Sequence, residues 1–105
     1  MIHETNMYDL GIRFGDRLDL IDYLSPNRPT GIYALVVTPT KVMVEGYDEP
    51  MSLTGACEEV FKEIFPERYA QRDTWTFRGP QYWILTRGNV SVKDLAEMQS
   101  LRNAQ

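Results

Sequence analysis

Arginine and aromatic residues are interleaved between positions 68 and 87, and these residue types have clear binding chemistry. The set comprises Arg68, Arg72, Trp75, Arg78, Tyr82, Trp83 and Arg87. Tryptophan, tyrosine and arginine are enriched among the residues that dominate protein–protein binding energy. They also suit single-stranded nucleic acid, through phosphate contacts and base stacking. The segment therefore predicts a partner-binding surface for a protein, with nucleic acid as the alternative. A third interpretation places the aromatics in the core and leaves only the arginines outside.

Charge gives a way to separate these alternatives. The chain has a formal net charge of −4, and the excess of acidic residues falls in its first half. Nucleic-acid binding relies on basic surface that displaces counterions, so mild acidity favours a protein partner. Glu67 and Asp73 also dilute the arginines of the 68–87 segment. If acidic residues of the first half lie between these arginines, a protein partner is favoured further.

Residues for nucleophilic catalysis are scarce in this sequence. His3 is the single histidine and Cys57 the single cysteine. A Ser-His-Asp or Cys-His arrangement needs an imidazole held beside the nucleophile, which a residue this close to the chain end does not promise. Cys57 falls on the apolar side of a predicted helix, where free cysteine usually behaves as a small core residue. We therefore expect no enzymatic activity.

Acidic residues recur in two places without forming a recognisable metal site. Asp16, Asp19 and Asp22 are three residues apart on a predicted helix, and their carboxylates drift around it because a turn takes about 3.6 residues. A second group around Asp48 lacks the spacing of a calcium loop. The glycine-rich motifs that hold nucleotide phosphates are also missing from the sequence. We expect no metal and no cofactor.

The elements that would position the 68–87 segment follow from periodicity and from breaker residues. Alternation and helical spacing predict an order β-α-β-β-α-β-β-α in one domain over residues 1–105. The predicted elements are a strand over Met7–Phe14, a helix over Asp16–Leu24, strands over Ile32–Thr38 and Lys41–Tyr47, a helix over Leu53–Phe65, strands over Arg72–Arg78 and Tyr82–Arg87, and a final helix from Ser91. The fold class is therefore α+β, an antiparallel sheet of about five strands with two to three helices packed mainly on one face.

Bulk composition limits the class of protein. An apolar content of 43% supports a core in 105 residues without disulfides, which a single cysteine cannot form within the chain. No run approaches the ~18 apolar residues of a membrane span, and the start of the sequence does not resemble a signal peptide. We expect a cytoplasmic protein without membrane association.

A good predicted core without a catalytic constellation favours a binding role. We expect a non-enzymatic protein-binding module that acts by steric occupation of a partner's surface. In this broad profile the chain is similar to small inhibitors and regulators encoded by phages and plasmids, including anti-CRISPR proteins.

Overall fold

A five-stranded antiparallel sheet forms the centre of the computed structural model, which describes residues 6–22, 24, 28–70 and 78–103. The strands are β1 (Arg17–Ile21), β2 (Pro29–Val36), β3 (Val42–Val44), β4 (Trp83–Leu85) and β5 (Val90–Ser91). They lie side by side in the order β3-β2-β1-β4-β5. The helices are α1 (Leu53–Ile64), α2 (Pro66–Ala70), α3 (Gly79–Tyr82) and α4 (Val92–Asn103), and a 3-10 helix (Met7–Leu10) precedes β1. The predicted α+β class with a five-stranded antiparallel sheet is confirmed.

One face of the sheet builds the hydrophobic core. Side chains alternate in and out along a strand, so the inward positions of four neighbouring strands meet on one side. The inward residues are Leu18, Leu20, Ala34, Val36, Val42, Val44, Trp83 and Leu85, and all are buried. They join Cys57 and Phe61 of α1 and Val92 of α4 in a single cluster. The helices therefore pack on one face, as the sequence predicted.

Helix α1 follows its sequence pattern closely. The Ser52 side chain accepts a hydrogen bond from the Gly55 backbone N–H at 3.1 Å, which caps the first turn. Cys57 is fully buried on the inner side of the helix. Burial raises the pKa of the Cys57 thiol, because the thiolate would lose its hydration in the core. Cys57 is therefore a core residue whose reactive thiolate form is disfavoured in the folded protein.

Strand β2 is internal to the sheet, and within the described residues helices cover only one of its faces. Val36 is fully buried, whereas the preceding residue, Leu35, points to the opposite side and is 41% exposed. A continuous apolar run such as that from Ile32 to Val37 is typical of a strand covered on both sides. The structure departs from this pattern and leaves an apolar side chain on the outer face.

The segment around β1 differs most clearly from its prediction, which was a helix over Asp16–Leu24. The pattern was compatible with a helix carrying Leu18, Ile21 and Leu24 on one side. The structure instead has strand β1, with Leu18 and Leu20 in the core and Asp19 on the other face. Pairing explains the outcome, because β1 lies between β2 and β4 and satisfies its backbone groups on both edges.

The segment before β1 also differs from its prediction as a strand over Met7–Phe14. The Asn6 side chain accepts a hydrogen bond from the Asp9 N–H, and Gly11 ends the 3-10 helix at a φ of 88°. Met7 and Ile12 are both buried. The apolar residues therefore reach the core from a turn and not from an extended strand, because local capping outweighs their alternation.

The second predicted hairpin is replaced by a different pairing. Strand β4 is formed, but its partners are β1 on one side and β5 on the other. The segment Gly79–Tyr82, predicted to contain the turn, is helix α3. Residues 72–77 of the predicted strand Arg72–Arg78 lie outside the described residues. The hairpin is thus shifted toward the C-terminus, with its turn over residues 86–89.

Candidate functional site

The residues predicted to form one binding surface are distributed over several parts of the molecule. Trp83 is fully buried in β4, and its indole N–H donates a hydrogen bond to the Leu53 carbonyl at 3.0 Å. Tyr82 is half-buried, with its ring against Phe61 at a centroid distance of 5.8 Å. Trp83 is therefore a core residue rather than part of an exposed surface. Arg72 and Trp75 lie outside the described residues.

Arg78 is exposed at the start of α3, on the side of the molecule that carries the helices. The next residue, Gly79, packs against the beginning of α1, where its N–H donates a hydrogen bond to the Thr54 hydroxyl at 3.2 Å. Helix α3 is thus fixed to α1, and Arg78 lies at the junction of these two helices.

Arg87 closes the turn after β4 onto the start of β1. Its Nε donates a hydrogen bond to Asp16 Oδ1 at 3.1 Å, and one terminal nitrogen donates to Asp16 Oδ2 at 3.0 Å. The same terminal nitrogen also donates to the Gly11 carbonyl at 2.8 Å. This two-point geometry is the strong form of an arginine–carboxylate pair. Arg87 therefore fastens the 3-10 helix, β1 and the β4–β5 turn to one another.

This pair gives a prediction about the titration of Asp16. The hydrogen bonds from Arg87 are the main reason that the pKa of the Asp16 carboxyl lies below its ordinary value of 3.8. Replacing Arg87 with glutamine is expected to raise this pKa, as followed by the carboxyl carbon signal of Asp16 in an NMR titration. Arg102→Gln, an exposed arginine on α4, is the control and should leave the signal unchanged.

The sign of the pH effect on stability follows from the lowered pKa. A carboxyl with a depressed pKa in the folded state stabilises the fold above its unfolded pKa, and the contribution disappears as the pH falls through the folded value. The difference in stability between wild type and Arg87→Gln should therefore narrow below about pH 4. A constant difference down to acidic pH would contradict the assignment.

Arg68 is held at the opposite end of β1. Its terminal nitrogen lies 3.2 Å from Asp22 Oδ1, and its guanidinium lies over the Phe65 ring at 4.1 Å from the centroid. Asp22 is only 5% exposed, so its carboxylate needs such a partner. The Leu24 N–H donates a further hydrogen bond to the same oxygen at 2.9 Å. Arg68 is thus a structural residue that compensates a buried charge.

The three aspartates of β1 and its flanks each bind a different arginine. Asp16 binds Arg87, Asp19 binds Arg17, and Asp22 binds Arg68. Asp16 and Asp22 are six residues apart along an extended chain, a distance of about 20 Å. Arg87 and Arg68 therefore cannot belong to one compact basic patch. No group of three metal-ligating side chains occurs within the described parts of the chain.

The face of the sheet opposite the core is a further candidate surface. We call it the open face and define it by its outward side chains, Arg17, Asp19, Ile21, Tyr33, Leu35, Met43 and Ile84. Antiparallel pairing arranges them in two rows. Arg17 is opposite Leu35, which is opposite Met43, and Asp19 lies between Tyr33 and Ile84. In the described ranges no helix packs on this face.

Arg17 is the ordered centre of the open face. Its guanidinium lies over the Tyr33 ring, 4.3 Å from the centroid, and its Nε donates a hydrogen bond to Asp19 Oδ1 at 3.0 Å. The other carboxylate oxygen of Asp19 accepts a hydrogen bond from the Thr86 hydroxyl. Ring and carboxylate together fix the arginine head on the sheet. Arg17 was not among the predicted site residues because the segment was assigned to a helix, although Arg17 and Asp19 alternate with Leu18 and Leu20.

A shallow depression of about 290 Å³ lies where α1 meets α2, lined by Ile64, Phe65, Pro66, Glu67 and Arg68. Glu67 and Arg68 are its charged residues, and Arg68 is already paired with Asp22. Nucleophilic catalysis would require a nucleophile beside a general base. That combination is not found among the residues lining this depression, and His3 lies outside the described residues.

Comparison of the chain with protein-family models, with curated protein sequences and with solved structures found no match. Among the described residues, no helix is long and apolar enough to cross a membrane. The open face combines one exposed leucine, Leu35, with an arginine, Arg17, that is held by a ring and a carboxylate.

Proposed function

We propose that the chain is a non-enzymatic protein-binding module whose open face occupies a surface of a partner protein. The observation that carries the proposal is a pair of neighbouring residues on two internal strands. Leu35 on β2 is exposed, and Arg17, opposite it on β1, is held in a fixed orientation. Leu35 is 41% exposed, and the Arg17 side chain is 51% exposed. Apolar side chains with arginine and tyrosine among them are the composition expected of a protein interface.

The pairing of the arginines supports a protein partner over nucleic acid. Asp16 and Asp22, both from the acidic first half of the chain, bind Arg87 and Arg68 directly. Single-stranded nucleic acid needs a continuous positively charged groove that follows the backbone. Here the arginines of the 68–87 segment that the structure describes are separated, and two of them are neutralised. Acidic residues from the first half of the chain thus lie at two of these arginines, which favours a protein partner.

The proposal extends to mechanism and location. A rigid sheet that covers a partner's surface would act sterically, as a small inhibitor or regulator of the type found in phages and plasmids. We also place the chain in the cytoplasm, a location favoured by the single cysteine, which is free and buried. Arg72, Trp75 and Arg78 remain proposed partner-contacting residues.

The experiment that tests this function compares captured proteins between matched variants. Wild type, Leu35→Asp and Leu101→Asp are immobilised and exposed to a lysate of the native cells. Leu101 lies on α4 and is 69% exposed, so both substitutions place a carboxylate at an exposed leucine. We expect one stoichiometric protein to be retained by wild type and by Leu101→Asp and to be lost by Leu35→Asp, as quantified by mass spectrometry.

Two outcomes of this comparison would contradict the proposal. Capture that is lost with Leu101→Asp and kept with Leu35→Asp would move the interface to α4. Capture that disappears after nuclease treatment would favour the nucleic-acid alternative. Thermal unfolding of each variant verifies that a loss of capture does not come from a loss of folding.

A further inference from the structure

Arg17 has binding capacity that the fold does not use. A guanidinium has five N–H donors, and the Nε donor goes to Asp19. Within the described residues, the four N–H groups on the two terminal nitrogens have no hydrogen-bond acceptor. The head is nevertheless held in place, since it lies over Tyr33 at 4.3 Å and its Nε is bound at 3.0 Å. Arg17 is thus an ordered cation with a free donor edge.

An ordered arginine binds more effectively than a mobile one. Immobilising a long side chain at an interface costs conformational entropy, and a side chain fixed before binding avoids most of that cost. The fixing group also matters: Asp19 is itself held by the hydroxyl of Thr86, the residue that follows strand β4. The orientation of Arg17 is therefore set by β1, by β2 and by the start of the turn after β4.

The free edge of a guanidinium matches two kinds of oxyanion, a carboxylate and a phosphate, which it binds with two parallel hydrogen bonds. The surroundings discriminate between them. The open face and its margin on β3 carry Arg17 and Lys41 with Asp19 and Glu45, so their formal charges balance. A polyphosphate chain would meet two carboxylates here, whereas a single carboxylate needs only one arginine.

The apolar neighbours of Arg17 define what must accompany that carboxylate. Across the sheet from Arg17 lie Leu35 and then Met43 in direct register. Strand spacing of about 4.8 Å places Met43 roughly 10 Å from Arg17. A ligand that fills this row presents an acidic group at one end and apolar side chains along the next ~10 Å. That description fits a protein segment with an aspartate or glutamate next to apolar residues.

We infer that the open face recognises an acidic-apolar segment of a partner protein, with Arg17 receiving an aspartate or glutamate carboxylate and Leu35 and Met43 receiving the apolar side chains. This inference rests on the proposed protein-binding function and specifies the chemistry of the partner. Arg17 acts as the anchor of the interface. Asp19 and Tyr33 act as positioning residues that hold its guanidinium.

The test uses random twelve-residue peptides displayed on phage, which are selected on immobilised wild type and, in parallel, on Arg17→Gln. We expect wild type to enrich peptides in which an acidic residue is followed or preceded by apolar residues, and Arg17→Gln not to enrich them. The most enriched peptide is then synthesised and its affinity is measured by calorimetry. Arg17→Gln should bind it about tenfold or more weakly, and the same peptide with its acid changed to the amide should lose a similar factor on wild type.

Matched variants separate the anchor from general charge effects. Arg102→Gln removes an exposed arginine on α4 and should leave the affinity unchanged. Arg17→Lys keeps the charge but loses the two-point geometry, so it should recover only part of the affinity. When Arg17→Gln is combined with the peptide whose acid is changed to the amide, the loss of binding free energy should be smaller than the sum of the two separate losses. The reason is that each change removes the same contact.

Each remaining outcome overturns the inference. Selection that yields no acidic-apolar enrichment, or the same enrichment on Arg17→Gln, removes Arg17 as the anchor. Arg17-dependent binding of a 20-nucleotide single strand would assign the face to nucleic acid. A dimer in sedimentation at 100 µM that Arg17→Gln dissociates would assign the face to a second copy of the chain.

Failure of this inference is distinguishable from failure of the proposed function. If Leu35→Asp loses the captured cellular protein while Arg17→Gln retains it, the open face binds a partner but not through a carboxylate on Arg17. If both variants retain it, the open face is not the interface at all.

Discussion

Replacing Gly79 with alanine should destabilise this protein by about 3 kcal/mol or more, although only one methyl group is added. A Cβ at this position would lie 2.3 Å from the Leu53 carbonyl carbon and 2.3 Å from the Thr54 nitrogen. Both are backbone atoms at the first turn of α1, so no side-chain rotation can relieve the overlap. Helix α3 would have to move away from α1 and would lose the hydrogen bond from the Gly79 N–H to Thr54.

Urea unfolding followed by circular dichroism gives the measurement, and Gly88→Ala is its control. A Cβ on Gly88 would meet its nearest neighbour, Val90 Cγ1, at 3.4 Å, and that neighbour is the end of a side chain. We expect Gly88→Ala to change the free energy of unfolding by less than about 1 kcal/mol. Equal midpoints for wild type and Gly79→Ala would mean that α3 does not pack against α1 as described.

The role of Gly79 also illustrates what local sequence cannot reveal. Gly79-Pro80 is a common turn pair, and the sequence predicted a turn there. The structure has α3 at this point, and the glycine is required by an approach to α1, a helix 25 residues earlier in the chain. A requirement that comes from a distant segment leaves no trace in the local pattern.

Segments with several consistent local signals were predicted well. The helix α1 has a capping Ser52, apolar residues at helical spacing and Pro66 just beyond its end. Strand β3 has Val42 and Val44 inward and Met43 half-buried on the other side, as the alternation indicated. In these elements the local preference and the tertiary environment agree, which is the condition for reading structure from sequence.

The segment that forms β1 was predicted poorly because two periods fit the same residues. The spacing of Leu18, Ile21 and Leu24 matches a helix, and the alternation of Leu18 and Leu20 with Asp19 matches a strand. Sheet pairing on both edges of β1 decided between them, and such pairing involves strands that lie far away in sequence. The error concealed the candidate site, because Arg17 reaches the open face only from a strand.

Trp83 shows the same limit for individual side chains. Alternation correctly placed Trp83 and Ile84 on opposite faces of a strand. It could not say which face the helices would cover. The Leu53 carbonyl, which accepts the indole hydrogen bond, lies 30 residues earlier, so the burial of Trp83 depends on how α1 docks. A tryptophan beside arginines in sequence is therefore not evidence of an exposed binding residue.

The second large effect is expected for Val36→Asp, which should prevent folding. Val36 has no exposed surface and lies on an internal strand, opposite Val42 of β3. Burying an unpaired carboxylate there costs several kcal/mol, and the remaining route is protonation, which is also unfavourable at neutral pH. Domains of this size are stable by only about 5–15 kcal/mol, so one such substitution removes most or all of that margin.

Leu35→Asp is the matched control, because it makes a similar change at the neighbouring position of the same strand. Leu35 is on the open face, and its cross-strand neighbour is Arg17. An opposite-charge pair in this position contributes about 0.2–1 kcal/mol, which offsets part of the lost apolar contact. We expect Leu35→Asp to fold and to keep a thermal midpoint within about 5 °C of wild type.

Comparing the folding of Val36→Asp with that of Leu35→Asp tests whether one face of the sheet is buried and the other is exposed. If Val36→Asp were soluble with the thermal midpoint of wild type, the core face would be assigned to the wrong side of β2. If Leu35→Asp also failed to fold, the outer face would be covered in the folded protein and could not serve as a binding surface. We expect Val36→Asp not to fold, and Leu35→Asp to fold but no longer to capture its partner. Strand β2 would then contribute to both the stability and the binding of the protein. The inward residue would then maintain the core, and the outward residue would meet the partner.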